Sequence, residues 1–185
     1  MKMKKPRLSL VFISTTALLA TFLSTQAQTA SAWASDHCQF TTGSLKWQDL
    51  TTRTTYSNAA ANAIAAWNAT PTNVYFTKVT SGTNVKLTDA NLGTNGPIVV
   101  TNKTCSNGFN ATATDSTLNR AYNDGYSSTK KKAYFVFQIG YALGLAPTSA
   151  ASCPNIEMMY MPTAIDVCGY SDPRPGDITG INTMY

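Results

Sequence analysis

The sequence predicts a single α+β domain. Three observations predict it. Apolar residues recur at helical spacing in two well-separated stretches, several short β-rich runs are set off by turn residues, and the order is strand, helix, strands, helix, loops, helix. Strands that follow one another without a helix between them do not build a regular β-α-β repeat.

The elements follow in chain order. "KWQDLTTRTTYS" predicts a first strand leading into a helix over about Ser57 to Ala69, where Ala60, Ile64 and Trp67 share one face. Ser57 or Asn58 is its expected N-cap, and Pro71 stops it. "NVYFTKV", "NVKLTDA" and "GPIVVTN" predict three further strands, the last two separated by the turn-rich "NLGTNG". From Ser106 to Asp115 the chain is small and polar without periodicity, which predicts a loop. A second helix is expected over Thr129 to Leu143, capped by Ser127, Ser128 or Thr129 and ended by Gly144. Short apolar pieces and turns then lead to a terminal helix in "DITGINTMY".

The N-terminal segment has a different character. "MKMKKPR" is basic, "LSLVFISTTALLATFL" is apolar, and "ASAWA" carries two overlapping small-x-small patterns, the marks of a secretory leader cut after Ala32 or Ala34. The domain is then residues 35–185 and the expected location extracellular. Of the 14 basic residues, Lys2, Lys4, Lys5 and Arg7 lie in that leader, so the domain keeps 10 basic against 9 acidic residues, a net charge of +1. Such a balance gives no reason to expect nucleic acid or an anionic membrane as partner. The short basic run Lys130 to Lys132 reads as a solvated helix start.

All four cysteines follow the leader, and an even number in an exported chain predicts two disulfides. Three pairings are possible. The expected one joins Cys153 to Cys168 across a short loop and Cys38 to Cys105. The single histidine, His37, lies beside Cys38 and reads as a surface imidazole.

The stretch that carries chemical information is "FQIGYALGLAP", Phe137 to Pro147. Its spacing matches H-E-x-x-H-x-x-G-x-x-H, in which two histidines four apart on one helix face bind a zinc ion. The glutamate between them activates the metal-bound water, and the glycine turns the chain so that a third histidine reaches the metal. Here Phe137, Tyr141 and Pro147 stand at the three histidine positions and Gln138 at the glutamate, while Ile139, Gly140, Ala142, Leu143, Gly144, Leu145 and Ala146 keep the remainder.

Upstream, "AANAIAAWNATPTNVYFTKVTSG", and downstream, "IEMMYMP" and "GYSDPRPGDITGINTMY", extend the likeness over nearly the whole chain after the leader. In these motifs and their order the sequence resembles the matrixin-like branch of the metzincin zinc proteases. The resemblance implies a small twisted mixed sheet with two main helices, then a loop-rich part holding a methionine turn at Met159 and Tyr160, then a terminal helix. It also implies what has been lost. Phenylalanine has no donor atom, proline offers only its carbonyl, and a phenol is a poor lone ligand, so neither zinc nor another cofactor is expected. No catalytic residue is expected either, because an amide at Gln138 cannot take a proton from water. A Phe137–Tyr141 ring pair is expected to fill the metal's space, with the tyrosine hydroxyl near Gln138 or a carbonyl and Met159 beneath.

The implied protein is therefore a secreted, monomeric pseudo-metalloprotease that binds a peptide or protein in the residual cleft. Tyr75, Phe76, Tyr122 and Tyr126 are candidates to line such a surface. Two alternatives stand beside it: an active zinc endopeptidase with atypical ligands, and an inert structural domain. No other catalytic set emerges. There is no G-x-S-x-G elbow, and Glu157, Asp166, Asp172 and Asp177 read as turn and cap residues. Asn68, Asn102 and Asn110 begin glycosylation triplets.

Overall fold

Alternation of apolar and polar residues lays down the first strand, β1 (Ser44–Asp49), with Leu45 and Trp47 buried on one face. The structure is a computed structural model and describes residues 33–110, 113–148, 153 and 156–185, so the expected leader lies outside it except for Trp33 and Ala34.

Helix α1 (Thr54–Asn68) follows and buries Tyr56, Ala59, Ala60, Ala63, Ile64 and Trp67. It begins three residues before the expected Ser57, and the Ser57 hydroxyl instead donates to Asp49 over 2.6 Å. The residue at the N-cap, Arg53, makes no side-chain cap. Support comes from across the sheet, where the buried Asp89 carboxylate accepts from the Thr52 amide and hydroxyl and from Arg120. At the other end the Asn68 side chain pairs with the backbone N–H and carbonyl of Phe76, fastening the helix to the next strand. That pair of hydrogen bonds gives Asn68 a structural role.

Strands β2 (Tyr75–Lys78), β3 (Val85–Ala90) and β4 (Val99–Asn102) lie where the sequence predicts them. The expected loop from Ser106 to Asp115 does not hold. Its start belongs to a small hairpin of β5 (Cys105–Ser106) and β6 (Phe109–Asn110), and its end opens β7 (Thr114–Asn119). β7 pairs on both edges, so the five-stranded sheet runs β2-β1-β3-β7-β4. The first four of these strands are parallel and only β4 runs antiparallel, against β7.

The register brings Leu45 beside Phe76 and Trp47 beside Val85, giving the sheet one apolar face. Short α2 (Arg120–Asn123) leads to α3 (Ser128–Ala142), capped by the Ser127 hydroxyl accepting from Lys130 N–H. α1 and α3 pack together, and the Trp67 indole donates to the Val136 carbonyl over 3.0 Å. Each fully buried large apolar side chain here contributes roughly 1.5–3 kcal/mol.

The C-terminal part is loop-rich, with α4 (Thr163–Asp166) and the terminal α5 (Pro175–Met184). Cys38 is bonded to Cys105 and Cys153 to Cys168. Among the described residues no helix is long and apolar enough to cross a membrane.

Candidate functional site

The site helix is α3. Ten of its fifteen residues are buried, including Phe137, Gln138, Ile139 and Gly140. Its end is set by Gly144, whose φ of +107° only glycine adopts readily. The Leu145 amide donates back to the Gly140 carbonyl and the Gly144 amide to that of Tyr141, both over 3.1 Å, the pairing of a Schellman motif. The chain then leaves the helix sharply, burying Leu145 and exposing Pro147.

Met159 lies directly under this helix. A Cβ placed on Gly140 would come within 2.9 Å of the Met159 sulfur and 3.2 Å of Trp67 Cζ2, so the bare backbone at position 140 is what lets the methionine approach. Both Met158 and Met159 are buried, and Tyr160 is partly buried against the same core. The methionine-bearing segment is fixed from behind by α5. The buried Asp177 carboxylate accepts from the Met158 and Arg174 amides, each over 2.9 Å, and so joins that segment to the start of the terminal helix.

Gln138 faces the sheet. Its Nε2 donates to the Val100 carbonyl over 2.8 Å and to the Thr117 carbonyl over 3.1 Å, tying α3 to neighbouring β4 and β7. Two carbonyl acceptors define which end of the amide is which. They also define what the position tolerates. An ionised carboxylate in the same place would turn its charge on two carbonyl oxygens, with no hydrogen to offer.

Phe137 is buried in the core, and Tyr141 is half-buried against it. The expected ring pair between them does not form. Among the described residues the stacked pair is Tyr126 with Tyr134, centroids 5.8 Å apart. Tyr141 instead has Lys103 for company. The Lys103 ammonium stands 3.9 Å from the Tyr141 ring centroid, donates to the Tyr141 carbonyl over 2.6 Å, and is ion-paired with Asp36. A cation beside the last carbonyls of a helix is favoured by the helix dipole. Burial pushes the Lys103 ammonium pKa down and Asp36 pulls it back up, with burial the larger effect. Burial, then Asp36, raises the Tyr141 phenol.

Asp36 arrives on the N-terminal segment. The Asp36 amide donates to the Gly144 carbonyl, the Ala146 amide to that of Ala34, and Ser35 bridges to Leu145 in antiparallel sense. The Tyr185 hydroxyl accepts from the Phe40 amide and donates to the Leu143 carbonyl, so both ends of the described chain meet where α3 stops.

The donor chemistry of this region does not fit tetrahedral zinc. Phe137 offers nothing, the Gln138 amide is engaged by the sheet, and Tyr141 lies under an ammonium ion. Among the described residues no three of His, Cys, Asp and Glu are grouped to hold a metal. His37 is exposed. Of the aromatics expected to line a surface, Phe76 is buried, Tyr126 is stacked, the Tyr122 hydroxyl bonds to Thr94, and only Tyr75 is exposed. The basic run is likewise not a solvated face. Lys131 is buried, its ammonium donating to the Tyr126 carbonyl, while Lys130 pairs with Asp166 and Lys132 with Asp172.

Lys103, Asp36, Val100 and Thr117 are the residues that sequence reasoning missed. Nothing local marks them, since each acts through a contact made by a distant element. Comparison with family models and with curated proteins finds no match.

Proposed function

We propose that this chain is a secreted matrixin-like pseudo-metalloprotease, a domain that keeps the protease layout but neither holds zinc nor hydrolyses peptides, and that binds an extended peptide segment. The observation that carries the reading is the Gln138 amide. Its two donor bonds to Val100 and Thr117 make position 138 a place for an NH2 group, so the general-base position of the motif has been refitted as a structural tie. The fixed Lys103 ammonium at Tyr141 supports it, because a divalent cation there would meet a like charge.

Support for peptide binding comes from the sheet edge. Among the described residues β4 is hydrogen-bonded to β7 on one side only, and it lies against the site helix. An edge strand presents a row of N–H and C=O groups that an extended peptide can continue. The mixed five-stranded sheet, the two fifteen-residue helices and the loop-rich C-terminal part agree with the layout that the resemblance implies.

Metal analysis of the mature protein, purified without chelator or added metal, is expected to find no stoichiometric zinc, with no hydrolysis of casein or gelatin. Peptides selected from a displayed library are expected to shift the amide resonances of Val99–Asn102. Stoichiometric zinc would overturn the first half of the reading. Failure of every selected peptide to move β4 would leave an inert structural domain.

A further inference from the structure

We infer that Asn107 is a site of spontaneous covalent modification, where the folded protein loses ammonia and, as isoaspartate forms, loosens the segment that carries Asp36. The chemistry needs no enzyme. The backbone nitrogen of the next residue attacks the side-chain amide carbon of asparagine, the bond to the NH2 group breaks, and ammonia leaves behind a five-membered cyclic imide. Water then breaks one of the two carbonyl–nitrogen bonds of that ring. Breaking the bond to the side-chain carbonyl gives aspartate, and breaking the bond to the main-chain carbonyl gives isoaspartate, in which the backbone runs through the side chain. A glycine in second place favours ring closure, because no Cβ hinders the attacking nitrogen.

Two Asn-Gly pairs occur, Asn95–Gly96 and Asn107–Gly108, and the fold treats them differently. Ring closure needs a free nitrogen and a backbone that can swing toward the side chain. Gly96 has neither. Its N–H donates to the Gly93 carbonyl over 3.3 Å, and the surrounding loop is pinned by Asn119, whose side chain accepts from the Leu92 amide and donates to the Gly93 and Pro97 carbonyls. The Tyr122 hydroxyl adds a bond to the Thr94 carbonyl. Asn107 and Gly108 are instead the two turn residues of the β5–β6 hairpin, with φ of +51° and +80°, and both are exposed. Among the described residues neither the Asn107 side chain nor the Gly108 N–H has a hydrogen-bond partner.

The hairpin turn must open before the ring can close, and here opening is cheap. Each strand has two residues, far fewer than a ladder needs to stand in water. The hairpin is joined to the N-terminal segment by the Cys38–Cys105 bond, the Gln39 N–H donating to the Gly108 carbonyl over 3.3 Å, and the Gln39–Phe109 bridge. Isoaspartate adds a backbone carbon to a turn whose length fixes the register of its strands. The Gly108 carbonyl then moves away from Gln39, which lies on the same segment as Asp36, the partner of Lys103. Asp36 is bonded there by its own N–H, which donates to the Gly144 carbonyl over 3.0 Å.

The test incubates the purified protein at pH 8 and follows both pairs by peptide mapping with isoaspartate detection. Isoaspartate is expected at position 107, forming at least about tenfold faster than at position 95, whose loop must open against more bonds. No conversion at 107, or equal conversion at the two positions, overturns the inference. In concentrated urea the two pairs should convert at similar rates; a gap that persists there belongs to the sequence and overturns the argument from the fold. Asn107→Gly keeps the left-handed turn and cannot form the imide. Hydrogen exchange at the Asp36 amide should become at least about tenfold faster in aged wild type and stay unchanged in aged Asn107→Gly. Equal Asp36 protection in the two aged proteins overturns the link to that segment, whatever happens at the turn.

Discussion

Gln138 of α3 donates over 2.8 Å to the carbonyl of Val100 on the antiparallel edge strand, and the same amide nitrogen reaches Thr117 on the strand beside it. One side chain thus clamps the helix to two strands. Gln138→Glu replaces a two-hydrogen donor by a group that has one hydrogen when protonated and none when ionised. The variant should lose about 2–4 kcal/mol of stability at neutral pH. Part of that loss should be recovered on acidification, because the buried acid is then neutral and can donate once. Urea unfolding at pH 5 and pH 8 measures it, and equal stability of variant and wild type at pH 8 would falsify the clamp.

Lys103 is nearly inaccessible, whereas its partner Asp36 keeps some contact with water. Removing the ammonium by Lys103→Met strands the Asp36 carboxylate and leaves the Tyr141 carbonyl with the Gly144 amide as its remaining donor. The expected loss is about 2–4 kcal/mol, toward the low end because Asp36 can be partly rehydrated. Tyr141→Phe should cost little, since the ring and the carbonyl both remain. Tyr141→Ala should cost clearly more, through the lost ring. The ordering of the three melting temperatures is the readout.

Gly140→Ala sets two effects against each other. Alanine in a helix interior gains about 1 kcal/mol over glycine, but the added Cβ meets the Met159 sulfur at 2.9 Å and the Trp67 ring at 3.2 Å in a packed core. Overpacking of this kind costs about 1–3 kcal/mol. Steric conflict should win, giving a less stable protein. Pairing the change with Met159→Ala, which empties the space, should make Gly140→Ala neutral or favourable, and a double-mutant cycle tests that coupling.

Much of this fold was legible because its signals are local. α1 and α3 carry their apolar faces in sequence, and Gly144 announces the end of α3. β7 was not legible. "TDSTLN" is polar, yet Thr114 and Ser116 are buried on a strand paired on both edges, where a parallel strand is ordinarily an apolar run. The start of α1 was misplaced for a related reason, since its support is Asp89, supplied by a strand that comes later in the chain. The candidate site divides the same way. The residues at the spaced positions from Phe137 to Pro147 are plain in the sequence, but the partners that give Gln138 and Tyr141 their roles are brought up by tertiary structure alone.

The alignment of α3 with a metal-binding helix has its own test. Phe137→His, Tyr141→His and Pro147→His together supply three imidazoles, and leaving Gln138 in place avoids forcing a carboxylate against two carbonyls. Lys103 still opposes a cation at the second of these positions. The triple variant should therefore take up zinc weakly, and adding Lys103→Met should tighten binding, at least about tenfold by a chelator competition assay, since one unscreened like charge nearby amounts to more than 1.4 kcal/mol. A folded quadruple variant that takes up no zinc would remove the basis of the alignment.

Asp177 makes stability depend on pH in a window of its own. Burial raises its carboxyl from 3.8 to about 6, against the lowering effect of the Arg174, Met158 and Met159 amides, with the Glu157 charge adding to the rise. The charge that acts on it is that of Glu157, which lies against Gly176 beside it, whereas Arg174 meets it through the backbone amide and lays its guanidinium over the Tyr170 ring. A carboxyl whose pKa is higher in the folded state binds its proton more tightly there. Its contribution is therefore complete below about pH 4 and is lost as pH rises through about 6. Asp49 and Asp172 behave in the opposite sense. For each, burial alone would raise the pKa, but hydrogen bonds from Ser57, Thr51 and Lys78 to Asp49, and from Lys132 and Ser171 to Asp172, together hold it below 3.8. Their contributions are present above that value and disappear only in stronger acid. Between pH 4 and 6.5 the stability of the wild type should accordingly fall, as pH rises, relative to that of Asp177→Asn, which keeps an acceptor oxygen for the Met158 and Arg174 amides but cannot ionise. Parallel slopes for the two proteins in denaturant titrations across that window would mean that another group carries the effect.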